Sequence, residues 1–99
     1  MYVVVWTFET RAGREAEFER VYGATGDWAQ LFGASPGFHG SELLRDSERR
    51  RHYSTIDRWA SRQAFDEFRR DRAADYDALD ARCAALTVSE RLVGRFEAT

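Results

Sequence analysis

The chain has 99 residues, 43% of them hydrophobic and 14% aromatic, and a formal net charge of −2. That allows one domain with one core and excludes a disordered protein and a net cationic field that would gather nucleic acid. The single cysteine, Cys83, excludes an intramolecular disulfide, and no apolar run approaches the roughly 20 residues of a membrane span. All 15 basic residues are arginine, which reads as the codon bias of a GC-rich, bacterial genome. Met1 to Trp6 is apolar but lacks a basic start and a small-residue cleavage site. It reads as a strand rather than a signal peptide, and a cytoplasmic protein is the default expectation.

Tyr2 to Glu9 is the first predicted strand. Tyr2, Val4, Trp6 and Phe8 line one side and Val3 and Val5 the other, a pattern of burial on both faces. Ala12-Gly13 turns the chain. Phe18, Val21 and Tyr22 then follow helical spacing, with Arg14, Glu15, Glu17, Glu19 and Arg20 outward. Gly23 and Gly26 weaken the helix. Asp27 can cap a short continuation carrying Trp28, Leu31 and Phe32. Gly33 to Gly37, with the only proline at Pro36, ends it. Phe38 to Arg45 is the second strand, Asp46-Ser47-Glu48 a polar hairpin turn, and about Arg50 to Trp59 the returning strand.

Ser61 is placed to cap the next helix. Phe65, Phe68, Tyr76, Leu79, Cys83 and Leu86 form one long apolar stripe, interrupted by Arg72. Thr87 to Phe96 is the last strand. Val88, Leu92 and Phe96 share a parity, and Gly94 marks a bulge or a close backbone approach. The order β-α-β-β-α-β predicts an α+β, ferredoxin-like fold: a four-stranded antiparallel sheet with the helices on one face. The helices cover only one face, yet the first strand is apolar on both. A bare apolar face is uncommon on a soluble monomer, so a homodimer packed through its sheet faces is expected.

Trp59 stands at the strand-helix corner, and a pocket is expected there. Asp57, two residues earlier, shares its face if no bulge intervenes. Trp59 can stack on an aromatic ligand and donate from its indole N–H, or simply fill the corner. Asp57 can act as a base or an orienter; the commoner fate of such an Asp is to cap a helix or pair with an arginine such as Arg58 or Arg62. His52 and His39 are the only side chains whose ordinary pKa suits proton transfer near neutrality. Of these His52 is the better base candidate, with plain surface exposure as its alternative. Tyr76 on the inner stripe can donate to a ligand, and Arg72 can hold an anionic oxygen or snorkel outwards. Trp6, Tyr22, Trp28, Phe32 and Phe65 are candidate walls or plain core. Histidine pairs at ligand spacing and cysteine partners for Cys83 are lacking, so no metal site is expected. Nor is there a phosphate-cradling glycine loop. Arg49-Arg50-Arg51, beside Asp46 and Glu48, reads as charged edge protection.

Three segments carry a resemblance: Tyr2 to Phe8; Pro36 to Asp46; and, best of all, Thr55 to Phe65, which contains Trp59-Ala60-Ser61-Arg62-Gln63-Ala64-Phe65. The last looks like the W-x-S-x-x-A-F signature of the antibiotic biosynthesis monooxygenase domain, in the dimeric α+β barrel superfamily. The resemblance implies a dimer whose sheets form a barrel, with a pocket between each sheet and its own helices. Some members oxygenate polycyclic phenols and quinols without metal or flavin, some degrade haem, and many have no known activity. Haem-degrading members use an Asn on the first strand, a Trp matching Trp59 and a His on the second helix. Here Trp6 or Thr7 stands where the Asn is wanted and Ser61 to Leu86 contains no His, so only the Trp carries over. The resulting expectation is a cofactor-free monooxygenase acting on an aromatic phenol or quinol. The alternatives are a non-catalytic dimer binding a small apolar ligand, or a haem-binding member.

Overall fold

A computed structural model describes residues 1–99. Strand β1 (Tyr2–Thr10) leads into helices α1 (Glu15–Tyr22) and α2 (Asp27–Phe32). The hairpin β2 (Phe38–Arg45) and β3 (His52–Trp59) follows, then helices α3 (Arg62–Asp71) and α4 (Ala73–Cys83), a short 3-10 turn (Ala84–Leu86) and β4 (Thr87–Glu97). The strands form one antiparallel sheet in the order β2-β3-β1-β4. This is the ferredoxin-like arrangement expected from the element order.

The period-2 alternation of β1 and β3 decides what lies under the helices. Tyr2 pairs with Trp59, Val4 with Asp57, Trp6 with Thr55 and Phe8 with Tyr53. All eight point to the helical side, and all but the half-buried Trp6 are buried. Phe18, Val21 and Tyr22 from α1, Trp28 and Phe32 from α2, Phe65 and Phe68 from α3, and Leu79 and Cys83 from α4 complete the core. No helix is long and apolar enough to cross a membrane.

The motif around Trp59 has a packing explanation. The Ser61 hydroxyl accepts from Ala64 N–H at 3.1 Å and caps α3. Gly37 must lack a side chain because Ala64 lies directly against it: a Cβ built at Gly37 would fall 2.5 Å from that of Ala64. The Ala60 N–H donates to the Gly37 carbonyl at 2.8 Å, closing the corner. Phe65 then meets Trp59 edge-on, with ring centroids 5.5 Å apart.

Three local expectations are corrected. The single long helix after Ser61 is two helices. Arg72 would sit on the buried stripe, and the backbone instead leaves helical geometry there (φ −119°, ψ 27°), putting its guanidinium at the surface beside Asp75 at 3.1 Å. Gly26, not Asp27, occupies the cap of α2, and no side chain caps that helix. Finally, β4 is bulged at two places, between the partners of Val5 and Trp6 and between those of Glu9 and Thr10. Leu92 therefore faces the helices opposite Trp6, whereas Phe96 lies opposite Val3 on the outer face. The outer face carries half-buried Val3, Val5 and Ile56, with Leu44 and Phe96 43% and 49% exposed.

Candidate active site

One irregularity in β2 builds the site. Phe38 pairs with Trp59, but Gly40 pairs with Arg58, so an extra residue, His39, is inserted. Gly40 absorbs it at φ 121°, a conformation side chains rarely adopt. The shift keeps Phe38 on the helical side, against Trp59 and Phe32, and brings Ser41 to the same side opposite Asp57. There the Ser41 hydroxyl donates to Asp57 Oδ1 at 2.7 Å.

Asp57 is 8% exposed and lines a cavity between the sheet and the helices. Trp6 and Phe8 of β1, Tyr22 of α1, Trp28 and Phe32 of α2, and Thr55 of β3 form its walls, with Tyr76 and Asp80 of α4 and Glu90 of β4 towards solvent. Trp28 meets Tyr76 edge-on at 4.9 Å and Tyr22 at 6.1 Å, which holds the aromatic wall in place. The atom-free space, open mouth included, is about 480 Å³, and water-molecule centres reach about 50 Å³ of it. A ring system therefore needs the mouth to widen.

The electrostatics single out Asp57. Its neighbouring arginines are engaged elsewhere: Arg58 with Glu42 at 3.3 Å and Arg62 with Asp66 at 3.6 Å. No cation compensates its burial, and desolvation pushes its pKa up from 3.8 to about 6 while the Ser41 hydrogen bond pulls the other way. Ser41 supplies its only side-chain hydrogen bond, so Oδ2 stays free of protein partners. Burial raises the Tyr22 and Tyr76 hydroxyls too, so both are donors and not bases at neutral pH. The Arg69 guanidinium lies 3.7 Å from the centroid of the Tyr76 ring and partly offsets that rise. Burial, with Asp80 nearby, raises Glu90 as well. Asp57 is thus a deeply buried carboxylate that ionises just below neutrality, the condition a general base needs.

The expected site residues divide. Asp57, Tyr76, Trp6, Tyr22, Trp28 and Phe32 meet at the cavity. Trp59 does not line it: the indole is 0% exposed, walled in by Phe32, Phe38, Phe65 and Phe68 at centroid distances of 5.1 to 5.5 Å. The pocket accordingly lies further along the strand than the expected corner. Phe65 belongs to the same sealed cluster. Arg72 is exposed beside Asp75 and absent from the lining. His52 has the opposite parity to Asp57 and points to the outer face, between the Arg50 carbonyl at 2.9 Å and Glu9 at 3.6 Å. His39 is exposed in the bulge, so no imidazole lines the cavity. No three His, Cys, Asp or Glu side chains converge as a metal-binding group.

The profile of the antibiotic biosynthesis monooxygenase family matches residues 1–75. The chain belongs to that family. Among solved structures it is similar to SnoaB from Streptomyces nogalater, a cofactor-independent oxygenase, at 28% identity and TM-score 0.75, covering 99% of this chain and 92% of the other. It is also similar to a mutant of MhuD with two manganese protoporphyrin IX molecules bound per active site, at 25% identity and TM-score 0.65, over 99% of this chain and 94% of that one. PA3566 from Pseudomonas aeruginosa shares the fold at 14% identity and TM-score 0.70, over 99% and 93% of the two chains. No curated protein matches the sequence.

In this antibiotic biosynthesis monooxygenase domain the residues not expected at the site are Phe8, Ser41, Thr55, Asp80 and Glu90. Thr55 follows from the parity of Asp57, and Phe8 from that of Trp6. Ser41 required the bulge at His39, which only the Gly40 that follows it signals. Asp80 and Glu90 carry no local signal, because acids on an exposed helix face or strand end read as solvated surface.

Proposed function

We propose that the protein is a cofactor-independent monooxygenase of an aromatic phenol, quinol or anthrone, with Asp57 as its base. The observation that supports this most is the pairing of an uncompensated, buried carboxylate with an aromatic-walled cavity. A carboxyl raised from 3.8 to about 6 is roughly 100-fold more basic than an ordinary one and still ionised at pH 7. Ser41 holds one carboxylate oxygen and leaves the other to take a proton from the substrate. The substrate anion then passes one electron to dioxygen, the radical pair recombines as a peroxide anion, and that anion takes the proton back from Asp57 to become a hydroperoxide. Loss of water from that carbon gives the carbonyl, so a methylene plus dioxygen becomes a carbonyl plus water. Tyr76 would donate to the developing oxygen charge, and Trp6, Trp28 and Phe32 would hold the ring. The similarity to SnoaB supports the same reading. The haem reading has less to rest on, because the cavity offers no imidazole.

The working unit we propose is a homodimer joined through the outer sheet faces, where Val3, Val5, Ile56, Leu44 and Phe96 present apolar surface. The test is an oxygen electrode with anthrones and quinols. One dioxygen consumed per anthrone, with the matching anthraquinone formed, is the expected result. No uptake above buffer, from protein shown to be folded, overturns the reading and leaves a ligand-binding role.

A further inference from the structure

The cavity contains three carboxyls and no cation. Asp57 lies deep, while Asp80 on α4 and Glu90 on β4 are exposed at the mouth. Neither mouth residue forms an ion pair or a side-chain hydrogen bond; the salt bridges of the chain involve Glu9, Glu17, Glu19, Glu42, Asp66, Asp71 and Asp75 instead. Burial and then the charge of Asp80 raise Glu90, and Asp80, Glu90 and Asp57 all act on Tyr76. Arg69 is stacked on the Tyr76 ring and does not line the cavity. Acids at a mouth alone would be ordinary solvated surface. What gives them meaning is Asp57, more than nine-tenths buried in the same cavity with one oxygen free of protein partners.

We propose that the cavity selects its ligand by charge: it takes a hydroxyaromatic that is uncharged or bears an ammonium group and rejects one bearing a carboxylate or sulfonate, with Asp80 and Glu90 as the discriminating residues. This rests on the reading of the cavity as the substrate site. Proton transfer from a neutral phenol to Asp57 moves a negative charge without adding one. A pendant carboxylate instead adds a fourth negative charge to a partly desolvated space where like charges repel far more strongly than in water. An ammonium substituent at the mouth lies between two carboxylates that have no other partner.

The test compares 2-naphthol, 6-hydroxy-2-naphthoate and 6-(aminomethyl)-2-naphthol by isothermal titration calorimetry on the full-length protein at pH 7.5 and low salt. The acid is expected to bind at least about tenfold more weakly than the naphthol, and the amine about threefold to tenfold more tightly. In Asp80→Asn/Glu90→Gln the spread should shrink to within about threefold. Salt at 0.5 M should narrow the wild-type spread, a readout that survives if the double variant fails to fold. Equal or tighter binding of the naphthoate, or no binding of any probe, overturns the proposal. Because binding is read and not turnover, inactivity with anthrones alongside the expected ranking would remove the oxygenase reading and leave charge selection standing.

Discussion

Asp57 and Trp59 are two residues apart on one strand face, and Phe32 of α2 reaches both, yet their surroundings are opposite. Around Trp59 every direction is closed by carbon: Phe38 and Phe68 approach within centroid distances of 5.2 and 5.1 Å, and the indole N–H finds no partner. An unmade hydrogen bond of that kind costs about 1–3 kcal/mol, and the burial of several aromatic rings outweighs it. Around Asp57 the carbon stops. A hydroxyl, an aromatic-walled cavity and an acidic mouth take the place of close packing, and a charged group is held where it is uncomfortable. One end of the face is closed for stability and the other, on the proposed reading, is left open for reactivity, and the second is tolerated because of the first.

The sharpest way to break this contrast is at Asp57. Asp57→Asn keeps the shape and can still accept from Ser41, but it cannot take a proton. Turnover of an anthrone substrate should fall about 10²- to 10⁴-fold. The same change should stabilise the fold. The native pKa lies above the unfolded one, so Asp57 favours folding below about pH 4 and loses that contribution as pH rises through about 6. At pH 8 the wild type bears the whole cost, and Asp57→Asn should gain up to about 3 kcal/mol by denaturant titration, with little gain at pH 4. A destabilised, fully active variant would erase the distinction between the two ends.

Trp59→Ala tests the other end. Removing a sealed tryptophan should cost about 3–5 kcal/mol in urea unfolding, and a loss under about 1 kcal/mol would mean the cluster is not the keystone described. Ser41→Ala is subtler. It removes a donor that favours the ionised carboxylate, so the acid limb of the pH–rate profile should move upward by up to about one pH unit. An unmoved limb would mean that Ser41 does not orient the base. The smallest effect belongs to His52→Gln. The ring lies on the outer face beside Glu9, so turnover should stay within about twofold and stability within about 0.5 kcal/mol. A large drop in turnover would return His52 to the reaction.

Most of the architecture was legible because period-2 and helical spacing are direct consequences of backbone geometry. The element order and the shared face of Asp57 and Trp59 follow from it, and the Ser61 cap follows from the hydroxyl that side chain offers. What escaped was set by irregularities. The insertion at His39 moved Ser41 inward, the bulges in β4 separated Phe96 from Leu92, and the break at Arg72 split one helix into two. Each involves a single residue and shifts every side chain beyond it. The importance of Asp57 was hidden for a different reason. Arg58 and Arg62 are near in sequence and looked like its partners, and only three dimensions reveal that both are committed to Glu42 and Asp66.

The most direct measurement is a ¹³C NMR titration of the Asp57 side-chain carboxyl, with the resonance assigned by its absence in Asp57→Asn. The account predicts a midpoint near 6. A midpoint near 4, the value of an ordinary solvated aspartate, would contradict it, because the carboxylate would then be neither desolvated nor poised to act as a base.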